Sequence, residues 1–197
     1  MTEFDAVILA NGDFPTADMP LRLLHEARYV VACDGAVRHW QQADAVVGDG
    51  DSVPGELRHR LLRVAEQDDN DLTKATRHCM SQGLHRIAYL GCTGGREDHT
   101  IGNIALMMRY HCEFALDVVM ATNQGWFVPA TGTHVFHAHK GQQVSIFNFG
   151  CTQLRSTGLK WQAYPYGQLW QGTLNEALAD EFTISADGNY LIFRTYR

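Results

Sequence analysis

Ala45-Val46-Val47-Gly48-Asp49-Gly50-Asp51-Ser52 is the stretch on which the reading of the fold turns. Its apolar start reads as a short buried strand, and it empties at once into a polar turn rich in glycine and aspartate. The same grammar recurs along the first part of the chain. Residues 7–10 lead into Asn11-Gly12-Asp13, residues 29–32 into Cys33-Asp34-Gly35, and residues 87–90 into the loop 91–96, with a further strand expected over 116–121. Helices are expected between them over 20–27, 35–42, 54–65, 71–82 and 98–110. The last is the best formed, with Ile101, Ile104, Ala105 and Met108 spaced for one face.

Strands alternating with helices imply crossover units and parallel pairing, and ligands of such sheets collect beyond the carboxyl ends of the strands. The polar turns fall there. The expected fold class is therefore α/β: an N-terminal, mostly parallel, Rossmann-like sheet with flanking helices over residues 1–122. After Thr122 the helical periodicity fades into short runs broken by Gly, Pro and Asn, ending in "ADGNYLIF", a turn before a strand. Residues 123–197 are expected to form a smaller all-β sandwich domain, thin enough to need a neighbour or a partner subunit.

Composition narrows the function. The 197 residues carry a formal charge of -6 and no Lys/Arg-rich block, which argues against nucleic acid or an anionic membrane as partner. A negatively charged substrate then needs a local remedy such as a metal ion. Five scattered cysteines without a Cys-x-x-Cys pair suit reduced thiols in the cytoplasm. The N-terminus lacks the basic flank of a signal or transit peptide, and no apolar run reaches membrane-spanning length.

Asp49 and Asp51 sit two apart, so in extended backbone both leave the same face. Two such charges about 6 Å apart repel by about 3 kcal/mol at an effective dielectric near 20. A cation between them reverses the sign, and oxygen-only ligands on a tight turn suit Mg²⁺. A solvated turn that caps the following segment is the competing reading. Asp71 precedes a helical stripe, so it reads either as an N-cap or as a ligand for metal or a ribose hydroxyl, with Lys74 one turn on facing a phosphate or solvent. In "GGREDHTIGN", residues 94–103, Arg96 offers a planar donor fork suited to phosphate and Asp98 opens a helix. No P-loop or dinucleotide fingerprint is present. Trp161 reads as core or as a platform for a flat ligand. His137 and His139 share one side of an expected strand but fall short of the four-ligand set of zinc sites.

In order, "CDGA" (33–36), "GDGDS" (48–52), "QDDNDLTKA" (67–75), "GGREDHTIGN" (94–103) and "STGLKW" (156–161) resemble the successive motifs of the thiamine pyrophosphokinase family. The resemblance spans nearly the whole chain. It implies transfer of a pyrophosphoryl group from ATP to the hydroxyl of thiamine, giving thiamine diphosphate and AMP with Mg²⁺. It also implies a homodimer with active sites shared between the α/β domain of one subunit and the β domain of the other. Carried over by position, Asp49, Asp51 and Asp71 serve the metal, and Asn11, Asp34, Asp49, Asp51, Gln67, Asn70, Thr73 and Asn103 the ATP. Asp71, Asp98, Lys74 and Arg96 are the catalytic set, while Asp98, Ser156, Thr157, Trp161 and Asn175 receive thiamine. Two departures stand out: Gly50 replaces a bulky residue between the two aspartates, and Leu174 replaces Ser beside Asn175. The same motifs leave room for transfer to another flat alcohol such as a hydroxymethylpterin, or for a binding module without catalysis.

Overall fold

The computed structural model describes residues 3–64, 66 and 68–196. The chain divides into two compact units, 1–123 and 124–197. Among its described residues the first holds six parallel strands: β1 (Ala6–Leu9), β2 (Val30–Cys33), β3 (Ala45–Gly48), β4 (Leu61–Arg63), β5 (Arg86–Leu90) and β6 (Asp117–Ala121). Their order is β6-β5-β1-β2-β3-β4. Every residue of β1, β2 and β3 is buried, as expected of a parallel sheet covered on both faces. The strand order reverses direction at β1, which lies between β2 and β5. That switch point is where a crevice opens in such sheets.

Among the described residues, three α-helices accompany the sheet: α1 (Asp18–His25), α2 (Asp71–Ser81) and α3 (Glu97–Cys112). Two of the expected helices are absent. Residues 34–38 and 55–60 form short 3-10 turns, and Leu61-Leu62-Arg63 leaves the expected helix 54–65 to extend the sheet as β4, in register with Val46, Val47 and Gly48. Pairing against β3 satisfies backbone groups that an isolated short helix would leave to water, so the tertiary partner overrides local preference.

Helix α2 is fastened to the sheet by buried hydroxyls as well as by Leu72, Ala75 and Cys79. Thr76 Oγ1 donates to the Leu72 carbonyl at 2.7 Å and lies 2.9 Å from the Tyr89 hydroxyl of β5, and Thr73 Oγ1 lies 2.8 Å from the Tyr110 hydroxyl of α3. Tyr89 and Tyr110 stack at 5.4 Å. This polar seam sets the height of the α2 N-terminus over the strand ends.

Helix α3 turns differently from its sequence pattern. It buries Met107, Met108 and Tyr110, whereas Ile101 is 68% exposed and Ala105 is also exposed. Of the stripe Ile101-Ile104-Ala105-Met108, only Met108 is buried and Ile104 is half-buried, so the packed face is shifted towards Met107 and Tyr110.

The second unit is antiparallel. Strands β7 (Gly125–Thr131), β9 (Gln143–Phe149), β11 (Asn175–Glu176) and β13 (Asn189–Thr195) pair in the order β11-β9-β13-β7. Strands β8 (His134–His137), β10 (Leu154–Thr157) and β12 (Glu181–Ala186) form a second sheet in the order β10-β12-β8. Phe136, Ile146, Phe182, Ile184, Tyr190 and Ile192 supply much of the core between the sheets. An α/β unit followed by a β-sandwich is the architecture expected from the change of grammar near Thr122.

The α3 orientation has a direct check. Met107→Ala should cost about 2–5 kcal/mol, the range for a buried large-to-small change. Ile101→Ala should stay within about 0.5 kcal/mol. Urea denaturation of the two variants measures both, and equal losses would contradict this packing.

Candidate active site

The carboxyl ends of the strands and the N-termini of α2 and α3 surround a cavity of about 520 Å³ in the first unit. Asn11, Asp34, Asp49, Asn70, Asp71, Lys74, Arg96 and Asn103 all line it, gathering side chains from segments far apart in sequence. Gly12, Cys33, Asp69, Cys92, His99 and Thr100 line it too, and no motif reading singled them out. Their common signal is position: Cys33 and Cys92 sit at strand ends, and His99 and Thr100 in the first turn of α3. Burial pushes both thiols up, which leaves them lining rather than reactive groups.

The tightest construction is at the end of β3. A Cβ at Gly48 would come within 2.7 Å of Asp34 Cβ and 3.3 Å of an Asp71 carboxylate oxygen, so only glycine leaves room for both acids. Asp34 is 8% exposed. Its Oδ2 accepts from the Ser52 N–H at 3.2 Å, while its buried Oδ1 has no hydrogen-bond partner among the described residues. Burial, reinforced by the nearby charges of Asp71, Asp49 and Asp51, raises its pKa. Burial also raises Asp71, against the opposing pull of Lys74. Lys74 is 5% exposed, and its Nζ reaches Asp71 Oδ1 at 3.4 Å.

Asp49 and Asp51 do not leave one face of an extended strand. Gly50 adopts φ +89°, and a Cβ there would come within 2.5 Å of Leu61 Cδ2. The left-handed residue breaks the two-residue alternation, so Asp49 lines the cavity while Asp51 is exposed and does not. The Asp51 N–H donates to Asp49 Oδ1 at 3.1 Å, closing the turn on itself. The left-handed backbone and the neighbouring Leu61 side chain both suit glycine at position 50.

The cap of α2 is Asn70, whose Oδ1 accepts from the Thr73 N–H and Oγ1, each at 3.0 Å. Asp71 is consequently free of the capping role. The Thr73 side chain is buried between Asn70 and Tyr110 and does not line the cavity. Asn103 donates to the Cys92 carbonyl at 2.9 Å. Gln67 lies outside the described residues. Asp69 is paired with Arg109 and Arg77 at 2.9 Å each, and the hydrogen bond from Arg109, with help from Arg77, lowers its pKa.

Asp98 is also no cap: α3 begins at Glu97 with Arg96 in the cap position. Its carboxylate receives a two-pronged pair from Arg96, at 3.1 and 2.6 Å, which lowers its pKa. Both groups are exposed, and Asp98 does not line the cavity.

Among the described residues, no group of three or more His, Cys, Asp or Glu side chains is gathered tightly enough to form a metal cage. Mg²⁺ asks for less, commonly one or two carboxylates with phosphate and water oxygens completing its octahedron. The unpartnered Asp34 oxygen and the upward-shifted acids facing one cavity fit a hard cation.

The second unit holds a smaller cavity of about 310 Å³, lined by Trp161, Tyr164, Tyr166, Leu174 and Asn175 among others. Trp161 and Tyr164 are exposed there. Lys160 Nζ stands 4.9 Å from the centroid of the indole and pairs with Glu176 at 3.1 Å. Asn175 is 3% exposed and clasps the Trp161 backbone, accepting from its N–H at 3.1 Å and donating to its carbonyl at 2.7 Å. Its amide oxygen also accepts from the Glu176 N–H. Ser156 is buried with its Oγ accepting from the Ala163 N–H, and Thr157 is exposed on β10; neither lines this cavity. Leu174 adopts φ 64°, a conformation that costs a residue with a side chain roughly 1–2 kcal/mol.

No helix among the described residues is long and apolar enough to cross a membrane. A family model described as the thiamin pyrophosphokinase catalytic domain matches residues 21–120, and one described as the substrate-binding domain matches residues 125–193. Thiamin pyrophosphokinase 1 of Caenorhabditis elegans is 30% identical over 121 residues, covering 52% of this chain and 49% of that protein. The match thus spans about half the length of the nematode relative. Thiamine pyrophosphokinase 2 of Arabidopsis thaliana is 25% identical over 198 residues, covering 88% of this chain and 71% of that protein. In fold, the chain is similar to a thiamin pyrophosphokinase family protein from Enterococcus faecalis, with a TM-score of 0.80 at 19% identity over 98% of this chain and 99% of the other. The thiamine pyrophosphokinase from Bacillus subtilis gives a TM-score of 0.77 at 19% identity, with the same coverage. With each of its two units matched by the corresponding domain of one family, the chain belongs to the thiamin pyrophosphokinase family.

Proposed function

We propose that the protein transfers a pyrophosphoryl group from ATP to the hydroxyl of thiamine, releasing thiamine diphosphate and AMP. The observation that carries this reading is the strand-end cavity, in which Asp34, Asp49 and Asp71 meet Lys74 and Arg96 in a chain of this family. The hydroxyl oxygen of thiamine forms the new bond to the β-phosphorus as the bond to the α-phosphate oxygen breaks, and the hydroxyl proton leaves. Such a step needs charge neutralisation and in-line positioning more than a covalent nucleophile.

Asp49 and Asp71, with Asp34 beside them, are the cavity-lining acids that would hold Mg²⁺. Bound there, Mg²⁺ offsets the negative charge of the polyphosphate and of the departing AMP. Lys74 supplies a buried ammonium to the phosphates, and the N-termini of α2 and α3 add backbone dipoles of the same sense. Asn11, Asn70 and Asn103 bind the nucleotide, and Thr73 supports Asn70. Arg96 exchanges its pairing with Asp98 for a phosphate oxygen. Asp98, relieved of the guanidinium that holds its pKa down, then orients the thiamine hydroxyl or takes its proton. Trp161 offers the face for the thiamine ring, and Asn175 holds that indole in position. A soluble cytoplasmic homodimer with shared active sites is part of the same reading, supported by the exposed apolar side chains Trp161, Trp170, Leu174 and Leu178 on the second unit.

Incubation with ATP, Mg²⁺ and thiamine should yield AMP and thiamine diphosphate in equal amounts; AMP formed only with a pterin alcohol would overturn the choice of acceptor. Asp71→Asn should fold, because Asn70 carries the cap, yet lose at least about 100-fold in turnover, the scale of losing one transition-state electrostatic partner. Near-normal turnover would remove Asp71 from the mechanism.

The raised pKa of Asp34 carries a stability prediction with a definite sign. Between its ordinary value of 3.8 and its higher folded value, the native state holds a proton that the unfolded chain releases. Stability therefore falls as pH rises through that window. Asp34→Asn should melt a few degrees above the parent at neutral pH in chelator, with the difference gone below 3.8. Added Mg²⁺ should raise the melting temperature of the parent more than that of the variant.

Sedimentation velocity should return a dimer. A fully active monomer would rule out shared sites.

A further inference from the structure

Leu174 is a residue of the second unit whose identity neither backbone nor core explains. Its backbone is left-handed at φ 64°, immediately after the 3-10 turn Leu169–Gly172 and its cap residue Thr173. Turn ends of this kind favour Gly or Asn, which adopt the conformation at little cost. Core packing does not account for leucine either, because the residue is 71% exposed. Among the described residues, the other non-glycine residue with positive φ is Ala115, which follows the end of α3 and carries no more than a methyl group. At Leu174 the chain keeps a large apolar side chain in a strained and exposed place.

That place is the wall of the Trp161 cavity. Asn175, the next residue, is clasped at two points to the Trp161 backbone, so Leu174 is held in a defined position relative to the indole. Lys160 stands over one face of that ring, and the indole remains exposed. We propose that Leu174 is a specificity-determining residue: its side chain forms an apolar wall beside a heterocycle lying on Trp161 and limits the size of the substituent accepted there. The proposal rests on the reading of this cavity as the thiamine subsite. Strain retained at a binding wall, where a relaxed residue would fold as well or better, is the pattern of a functional position.

The test uses the full-length protein and calorimetric titration with thiamine and with an analogue whose pyrimidine methyl is enlarged to ethyl. In the parent, thiamine should bind more tightly than the analogue. Leu174→Gly should lower that preference roughly tenfold, the scale on which an apolar pocket discriminates one methylene. Its melting temperature should be unchanged or raised, since glycine relaxes the backbone. Leu174→Met, which restores apolar bulk, should keep the preference within about twofold of the parent. A glycine variant that is more stable but equally selective would overturn the proposal, leaving only strain. A change of oligomeric state with selectivity intact would overturn it in favour of a subunit contact. If the parent does not bind thiamine at all, the subsite reading fails first and takes this inference with it, an outcome visible before any variant is made.

Discussion

The structure depends on holding carboxylates out of water where little positive charge answers them. At the end of β3, Gly48 has no side chain because Asp34 and Asp71 close over it. Everything nearby serves that approach. The Ser52 N–H holds one oxygen of Asp34, the Asn70 cap frees Asp71, and the hydroxyls of Thr73 and Thr76 fasten α2 to Tyr110 and Tyr89. Burial disfavours the charged forms of both acids. On the proposed function, a cation and a polyphosphate would remove that penalty.

Asp69 and Asp71 show how selectively the cost is placed. They are two residues apart and both line the cavity, yet Asp69 is neutralised by Arg109 and Arg77, whose guanidinium groups also stand over the Phe114 ring. One acid is a structural tie between α2 and α3. The other meets a single ammonium at a long 3.4 Å and remains poised. Sequence proximity carries no trace of this division, because the arginines that make it lie 8 and 40 residues away.

Much of the architecture was legible from residue patterns. Short β-rich runs ending in Gly-Asp turns are what buried parallel strands need, and the loss of helical periodicity near Thr122 marks the change to a β unit. Leu61-Leu62 was not legible as a strand, since three residues become one only when β3 offers its edge. The packed face of α3 was misread for a related reason. Ile101 and Ala105 have the right spacing and chemistry but are exposed; of the expected face Met108 is buried, and it is joined in the core by Met107 and Tyr110. In the site, aspartates and the Lys74 and Arg96 cations announced themselves by type. The roles of Gly50 and Asn175 did not, because a left-handed turn and a two-point backbone clasp are relations between residues.

By itself, the sequence determined that this is a parallel α/β unit followed by a β unit, and which acids, amides and cations stand at the strand ends. It did so because strand periodicity and turn chemistry are local properties of a chain. Only the tertiary structure decided which of those groups face one cavity: Asp49 but not Asp51, Asp71 rather than a cap, Asn70 in the capping role. The reason is that facing is set by dihedral angles and by packing partners distant in sequence. Gly50 has its left-handed turn backed by Leu61, and Asp71 has its direction set by hydroxyls on two other elements.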